Sequence, residues 1–338
     1  MSPSGSTNTR LLSSFFPKQP PTRVERLFFG GGAISGEGGG YGFGHISETD
    51  SIALLKRAFE RGIRVFDTAP IYGFGTSETR IGKAFQEMRS EMKIITKGGV
   101  DWHPDRRVNM DNTPTTLKRM LGESLRRLQT SSVDCYMIHW PDARVPLTES
   151  LDVLIQAQIE GQIKSLGLSN FSPAQIEEAQ KHCATKNLRI EFIQAERSFL
   201  KEANRELPKW CHENGLYFMS WGSLDKGILT NRVTSSRQFD EVDARRNAIW
   251  WKKDTDKDHR IQLVQHLKAI LDQHQISPLK WSLSYNLDFA ECDFVLFAPR
   301  NLEQLESGIV AVQEPIETNV FETIIEDYHK RCRTAGLV

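Results

Sequence analysis

Two patterns of apolar residues alternate along the chain. Short continuous apolar runs predict buried strands, whereas segments with an apolar residue at every third or fourth position predict amphipathic helices. A representative unit has a run at 63–67, followed by a helix with Ile81, Phe85 and Met88 on one side. Eight runs of strand type occur, at 26–30, 63–67, 93–97, 135–139, 165–169, 191–195, 216–221 and 294–298.

Signals for helix starts agree with this alternation. Ser47, with Asp50 three residues later, predicts a capped helix that ends near Gly62. Thr113 stands directly before Pro114, and a capping hydroxyl followed by a first-turn proline also predicts a helix start. The same pairing recurs at Ser172-Pro173 and Ser277-Pro278, and the last helix is expected over about 320–333.

The order of these elements predicts the fold. Strands that alternate with helices are expected to be parallel. Eight of them in a chain of 338 residues favour a closed (β/α)8 TIM barrel over an open sheet. We therefore expect an α/β fold with a single barrel domain at 23–338 and long loops at its C-terminal face. Residues 1–22 are rich in Ser, Thr and Pro without a signal-peptide core, so we expect a flexible tail.

Polar side chains stand where three of the predicted strands end. Asp67, Lys97 and His139 each close a strand, and Tyr72 lies on the loop beyond Asp67. A barrel gathers the C-terminal ends of its strands at one face, where such folds carry their chemistry. We therefore expect these four side chains to form one catalytic site.

The four residue types suit proton transfer to a carbonyl oxygen. A free tyrosine has a pKa of about 10, and a neighbouring ammonium lowers it. Lys97 would supply that charge to Tyr72, Asp67 would hold Lys97 protonated, and His139 would orient the substrate oxygen or relay a proton. Protonation of this kind accompanies hydride arrival at carbon, and hydride requires a nicotinamide or flavin cofactor.

Each of these residues also has a purely structural interpretation. Asp67 is of a type that often caps a turn, and Lys97 can pair with any carboxylate. His139 lies between apolar residues and Trp140-Pro141, so it can be a packed core histidine. Packing alone does not readily place all four on three strand ends of one barrel, so we favour the catalytic interpretation.

Composition narrows the range of partners and compartments. The chain has 43 basic and 43 acidic residues, which gives no indication of nucleic acid or an anionic membrane surface. No apolar run is long enough to span a bilayer. The five cysteines are scattered without metal-type spacing, so we expect no metal and reduced thiols in a cytoplasmic protein. No frame of the glycine-rich stretch 30–44 fits G-x-G-x-x-G, so a Rossmann fingerprint is not supported.

The chain resembles the aldo-keto reductases over about 26–308. Residues 67–73 (DTAPIYG) are similar to the family's first signature, and residues 138–142 (IHWPD) resemble its histidine signature. Residues 161–171 (GQIKSLGLSNF) resemble the segment whose Ser-Asn pair holds the nicotinamide carboxamide. The resemblance implies that Tyr72 is the general acid/base, supported by Lys97, His139 and Asp67.

The resemblance also implies a cofactor site for NADPH or NADH, bound in extended form. Ser169, Asn170 and Gln194 would hold the carboxamide, and Trp221 would stack on the nicotinamide where relatives usually have a tyrosine. The remaining implied positions are Gly222, Ser223, Leu224 and Gly227 at the pyrophosphate, with Arg300 and Gln304 at the adenosine end.

Besides Trp221, the chain departs from the family pattern at three further places. Gly222-Ser223 replaces Ser-Pro in the pyrophosphate loop. Arg300 and Gln304 could hold a 2′-phosphate and so favour NADP over NAD, but Ser307-Gly308 replaces a Glu-Asn pair near the adenine, so NAD is not excluded. Arg197 replaces a tyrosine, and it is either a surface arginine or a charge near the opening of the site.

The substrate and two competing functions stay open at this point. Loops at 30–44, 98–112 and 230–258 would shape the pocket with aromatic residues, which suit apolar or sugar-faced carbonyl substrates. The form of the first signature leans towards the aldose 1-dehydrogenase branch, which oxidises sugar lactols. The alternatives are a cofactor-binding regulatory subunit resembling potassium-channel β subunits, and a Schiff-base lyase at Lys97. The loop aromatics are Tyr41, Phe43, Trp102, His103, Trp250 and Trp251.

Overall fold

A closed barrel of parallel strands forms the centre of the molecule. The computed structural model describes Phe15 and residues 21–36, 42–201, 204–241, 243–247 and 254–337. Its strands are β1 (Leu27–Gly30), β2 (Val65–Asp67), β3 (Lys93–Gly98), β4 (Val100–Trp102), β5 (Val108–Met110), β6 (Val133–Ile138), β7 (Ile163–Ser169), β8 (Ile190–Glu196), β9 (Tyr217–Trp221) and β10 (Phe294–Phe297). The barrel order is β1-β10-β9-β8-β7-β6-β3-β2, which confirms the eight expected strands and the (β/α)8 fold.

Helices surround the barrel and begin where the sequence places caps. Ser47 accepts from the backbone of Asp50, and Ser172 forms a reciprocal capping box with Gln175. The Thr113 and Ser277 side chains each accept a hydrogen bond from a backbone N–H in the first turn of their helices. The helices are α1 (Glu48–Glu60), α2 (Thr76–Phe85), α3 (Pro114–Arg127), α4 (Leu147–Ile159), α5 (Pro173–Ala184), α6 (Leu207–Glu213), α7 (Asp254–Gln273), α8 (Pro278–Ser284), α9 (Leu302–Gln313) and α10 (Thr318–Thr334).

Two layers of the apolar core cover the strands, one inside the barrel and one between the barrel and its helices. Alternate strand residues point to opposite faces, and β1 shows this directly, because Phe28 joins the inner cluster while Leu27 and Phe29 join the outer one. The outer cluster includes residues of the helices, whereas the inner one draws on the strands and Phe15. Burial on both faces explains why the strands read as nearly continuous apolar runs.

Phe15 fills part of the inner layer. Its side chain is only 5% exposed, and its ring lies 4.8 Å from that of Phe192 and 6.4 Å from that of Phe28, centroid to centroid. The expected tail at 1–22 otherwise lies almost wholly outside the described residues, so its flexibility and the single-domain boundary stay predictions. This one residue of the tail packs into the barrel interior.

Two segments differ from the expectation. The sequence predicts a long polar loop at 98–112, but these residues contain the antiparallel hairpin β4–β5, in which Val100 pairs with Met110 and Trp102 with Val108. The helix expected to carry Met88 ends at Phe85, and Met88 has φ −121° and ψ 18°, which is not helical. Strands of three residues in a polar segment are too short to leave a periodic signal.

All five cysteines are free and buried. In the part of the chain that the structure describes, no helix combines the length and apolar character needed to cross a bilayer.

Candidate active site

A buried ion pair lies at the C-terminal face of the barrel. The Lys97 ammonium, on β3, is 2.7 Å from both oxygens of Asp67, on neighbouring β2, and it also donates to the Thr68 carbonyl at 3.0 Å. Neither side chain is more than 1% exposed. Strand ends that are adjacent in the barrel bring the two residues together, as their positions in the sequence predict.

Lys97 is held in its charged form. Burial opposes the ammonium, but the Asp67 carboxylate and Tyr72 together outweigh burial and raise the pKa of Lys97, and both also accept hydrogen bonds from it. Burial raises the pKa of Asp67, while Lys97 and the amide of Gln194 stabilise its carboxylate. Asp67 and Lys97 therefore stand as an ion pair, and the ammonium lies 5.3 Å from the centroid of the Tyr72 ring.

His139 lies across from Tyr72. The two rings are 5.9 Å apart, centroid to centroid, and meet at 86°, so one ring presents its edge to the other. His139 is the residue directly after β6, and its backbone N–H donates to the Gly98 carbonyl at 2.9 Å. The structure thus brings Asp67, Tyr72, Lys97 and His139 together at one place.

The imidazole of His139 is kept neutral. Burial lowers its pKa well below the ordinary value, and the positive charge of Lys97 lowers it further. A neutral imidazole has one N–H donor and one acceptor nitrogen. It can donate a hydrogen bond to a substrate oxygen near neutral pH without carrying a charge.

A polar network continues from His139 to the ends of β7 and β9. The Asn170 amide nitrogen donates to the His139 carbonyl at 3.0 Å and to the Ser169 hydroxyl at 2.9 Å. Its oxygen accepts from the Trp221 indole at 3.1 Å. Asn170 has φ +67°, a left-handed conformation that asparagine tolerates better than most residues. This conformation lets one side chain link three strand ends.

Gln194 faces the ion pair in this structure. Its amide nitrogen donates to Asp67 at 2.9 Å, and its side chain is buried. Ser169 is its register partner across β7 and β8. Gln194, which the resemblance implies would hold a carboxamide, is therefore adjacent to Ser169, and its amide also stabilises the Asp67 carboxylate.

The loop after β9 turns sharply beside the network. Gly222 has φ +72° and Gly227 has φ +95°, both in the region that favours glycine. The Ser223 hydroxyl donates to the Leu296 carbonyl at 3.4 Å. Asp225 is buried and pairs with Arg260 at 2.5 Å, which holds the loop against α7. Leu224, between Ser223 and Asp225, packs on the outer core.

Arg300 and Gln304 meet at the start of α9. The Arg300 backbone N–H donates to the Gln304 side chain at 2.9 Å, and its guanidinium donates to the His45 carbonyl at 2.8 Å. Burial and the nearby positive charge of Arg245 lower the pKa of Arg300. Asp243 and Asp240 also face this guanidinium, and Asp243 is paired with Arg245, so Arg300 itself is the group at the helix start that is suited to an anion.

This donor set suits an extended dinucleotide. An indole and a hydroxyl–amide pair stand beside the ion pair at Trp221, Ser169 and Asn170. A glycine-bearing loop follows at 222–227, and a cationic helix start lies at Arg300. The order of these groups is aromatic and amide, then backbone, then cation, which matches nicotinamide, pyrophosphate and adenosine phosphate.

The first loop and the loop after β9 meet beside Arg300. Phe43 forms a β-bridge with Asp243, and the Ala244 N–H donates to the Gly42 carbonyl at 2.9 Å. Arg245 pairs with buried Asp243 at 2.6 Å. Sequence reasoning did not single out Arg245, because it lies in a polar segment without a motif. Of the expected pocket aromatics, Tyr41, Trp250 and Trp251 lie outside the described residues.

Arg197 is not a surface arginine. Its side chain is 3% exposed, and its guanidinium donates to the Ser198 carbonyl at 2.7 Å and to the Tyr285 hydroxyl at 2.9 Å. Its backbone N–H donates to the Trp221 carbonyl, so the residue is adjacent to the network while its charge points to the outer helices. It borders a cavity of about 120 Å³ that contains none of the four catalytic candidates.

Comparison with known proteins identifies the family. The family model described as "Aldo/keto reductase family" matches residues 26–327. The chain is 30% identical over 271 residues to the aldo-keto reductase YhdN of Bacillus subtilis, covering 80% of each chain. It is 27% identical over 304 residues to the NADH-specific methylglyoxal reductase of Escherichia coli, covering 86% of this chain and 90% of that one.

A yeast relative and a solved structure extend the similarity. The chain is 26% identical over 304 residues to the Schizosaccharomyces pombe aldo-keto reductase yakc [NADP(+)], covering 88% of this chain and 86% of that one. The glycerol dehydrogenase AKR11B4 from Gluconobacter oxydans has a similar fold, with a TM-score of 0.76, 23% identity and coverage of 90% and 91%. The chain therefore belongs to the aldo-keto reductase family, whose members are oxidoreductases that use nicotinamide cofactors on small carbonyl substrates.

Proposed function

We propose that this protein is an NADP(H)-dependent oxidoreductase with Tyr72 as its general acid/base. It interconverts an aldehyde or ketone and the alcohol, or a sugar lactone and the lactol. The observation that carries the proposal is the buried Lys97–Asp67 pair, whose ammonium also hydrogen-bonds to Tyr72. A phenol next to a fixed positive charge is suited to giving up and regaining a proton near neutral pH.

Tyr72, Lys97 and His139 have different roles at the carbonyl oxygen of the substrate. The Tyr72 hydroxyl donates its proton to that oxygen, and the charge of Lys97 stabilises the phenolate that is left. His139 is neutral because of its burial, so it orients the oxygen by donating a hydrogen bond. Ser169, Asn170, Gln194 and Trp221 would hold the nicotinamide, which would supply the hydride when bound. Hydrogen bonds fixed before the reaction stabilise the developing charge without reorganisation.

The preference for NADP rests on Arg300. Its guanidinium lies at a helix start, and that position is suited to a phosphate group. The relatives do not decide the preference, because one is named for NADH and another for NADP(+). Titration with NADPH and with NADH, followed by tryptophan fluorescence, tests it. Arg300→Ala should weaken binding of NADPH more than binding of NADH, and equal losses would contradict the preference.

The substrates proposed are apolar or sugar-faced carbonyl compounds. Trp140 follows His139 directly and is 37% exposed, and the half-buried Trp102 stands on the hairpin next to the Tyr72 loop. Such aromatic surfaces bind apolar groups and the flat faces of sugars. The five free thiols suit a reducing compartment, and we place the protein in the cytoplasm.

Tyr72→Phe tests the central assignment. General acid–base catalysis typically contributes about 10²- to 10⁴-fold, so the variant should lose that much kcat on a panel of aldehydes and aldoses. Cofactor quenching of tryptophan fluorescence should be unchanged, because the phenyl ring stays in place. Wild-type turnover in the variant would show that Tyr72 is not the acid.

A further inference from the structure

The hairpin β4–β5 packs against the loop that carries Tyr72. It follows β3, the strand of Lys97, at the barrel mouth. Val100 is 2% exposed and forms a buried cluster with Ala69 and Ile71, which directly precedes Tyr72. The Trp102 ring meets the Phe74 ring edge-on at a centroid distance of 5.2 Å. One side of the hairpin is therefore fixed to the Tyr72 loop by apolar contacts.

The base of the same hairpin is bonded to the loop that carries His139. Asn112 is 2% exposed, and its amide nitrogen donates to the Trp140 carbonyl at 2.9 Å. The Arg144 guanidinium donates to the Met110 carbonyl and pairs with Asp142 at 2.8 and 2.9 Å. The Asn112 backbone N–H also lies 3.4 Å from the Asp142 carboxylate.

Among the described residues, two hydrogen bonds hold the backbone of His139. Its N–H donates to Gly98, and its carbonyl accepts from Asn170. The next carbonyl, that of Trp140, accepts from Asn112. Gly99 has φ +92°, and a Cβ on it would lie 1.9 Å from the Asn112 side-chain oxygen, so glycine is required for Asn112 to occupy this place.

We infer that Asn112 is a positioning residue for the reaction. Its amide fixes the peptide after His139 and so sets the distance between His139 and Tyr72, while the Arg144–Asp142 pair holds the hairpin to the same loop. The inference rests on the proposed function. Displacement of a catalytic group by about 1 Å can cost about 100-fold in rate, so a single tie of this kind has a measurable effect.

The main test is Asn112→Asp, which replaces the donating NH₂ by oxygen without changing the size of the side chain. The new oxygen faces the Trp140 carbonyl and cannot donate to it when ionised, so the loop should move. Asn286→Asp is the matched control. The Asn286 amide is also buried and donates to a backbone carbonyl at 2.9 Å, but it lies on the outer helices.

The two variants distinguish an effect on the position of His139 from a general loss of stability. Asn112→Asp should lower kcat about 10- to 100-fold while NADPH still quenches tryptophan fluorescence at the wild-type concentration. Asn286→Asp should lose stability but keep the wild-type kcat. Wild-type kcat and KM in Asn112→Asp would overturn the inference. Equal losses of kcat in the two variants would overturn it too, because they would report general instability.

If Asn112→Asp does not fold, Arg144→Ala tests whether the attachment of the hairpin to the His139 loop affects catalysis. The Arg144 side chain is 63% exposed, so its removal leaves the core intact. We expect a several-fold loss of kcat that added guanidinium ion restores by occupying the vacated place between Asp142 and the Met110 carbonyl. Wild-type kcat in Arg144→Ala, or a loss that guanidinium does not restore, would overturn the inference.

The wild-type enzyme separates this inference from the proposed function. NADPH-dependent turnover that is lost in Tyr72→Phe but intact in Asn112→Asp would overturn only the role of Asn112. An absence of turnover on every carbonyl compound in the panel would overturn both, because Asn112 would then have no reaction to support.

Discussion

The Lys97 ammonium lies 2.7 Å from both carboxylate oxygens of Asp67, at a barrel mouth where neither side chain is more than 1% exposed. The Lys97 charge that we propose acts on Tyr72 is thus shielded from water and from salt. Breaking such a pair by removing one partner leaves an uncompensated buried charge, which costs about 3–5 kcal/mol.

Lys97→Met should therefore destabilise the fold as well as abolish activity. We expect the free energy of unfolding, measured in urea, to fall by about 3–5 kcal/mol because Asp67 stays buried without its partner. The double variant Lys97→Met/Asp67→Asn should regain most of that stability and none of the activity. If the loss of stability in the double variant equals the sum of the losses in Lys97→Met and in Asp67→Asn, the two groups do not interact.

His139 should make the protein less stable in acid. Its pKa is lowered well below the ordinary value by burial and by Lys97, whereas in the unfolded chain it titrates near about 6.5. As the pH falls below about 6.5, His139 is protonated in the unfolded state but stays neutral in the folded state, so the free energy of unfolding decreases. His139→Asn should lose less stability than the wild type between about pH 7 and about pH 5 in urea unfolding. An equally steep loss would count against a neutral His139.

His212 should have the opposite effect. Its hydrogen bond to the Asp293 carboxylate, at 2.9 Å, raises its pKa. This hydrogen bond therefore stabilises the fold fully below about pH 6.5, the pKa of an unfolded-state histidine. The stabilisation is lost as the pH rises through the pKa of His212 in the folded state. His212→Gln should be less stable than the wild type near about pH 6, and the difference should shrink as pH rises. A difference that grows with pH would contradict the assignment.

Phe15 should contribute to stability without affecting catalysis. Replacement of a buried phenylalanine by alanine typically costs about 3–5 kcal/mol, and Phe15→Leu should cost less. Both variants should bind NADPH as the wild type does, because the inner cluster around Phe15 includes none of the site residues. Urea unfolding with a parallel NADPH titration checks this. An unchanged midpoint would mean that Phe15 does not occupy the barrel interior in solution.

The barrel and the four catalytic candidates could be predicted because their signals are local. Apolar runs mark the strands, and Asp67, Lys97 and His139 stand next to them in the sequence. Helix starts such as Thr113-Pro114 were equally clear, because a capping hydroxyl and a first-turn proline act within one turn.

Contacts between distant segments could not be predicted in this way. The bond from Gln194 to Asp67 joins residues 127 positions apart, and the tie from Asn112 to Trp140 joins residues on different loops. Phe15 stands in a Ser-rich stretch that carries no periodic pattern. The hairpin β4–β5 has strands of only three residues, and its packing on the Tyr72 loop, rather than its propensity, defines it.

The burial of every cysteine has a practical consequence. Burial raises the pKa of the thiols, to about 11 at Cys183 and about 12 at Cys292, and alkylating reagents attack the thiolate. The cysteines of the native protein should therefore react very slowly with maleimides. A single new cysteine at an exposed site, such as one near the tip of the hairpin, can therefore carry a spin label or fluorophore without removal of the natural thiols.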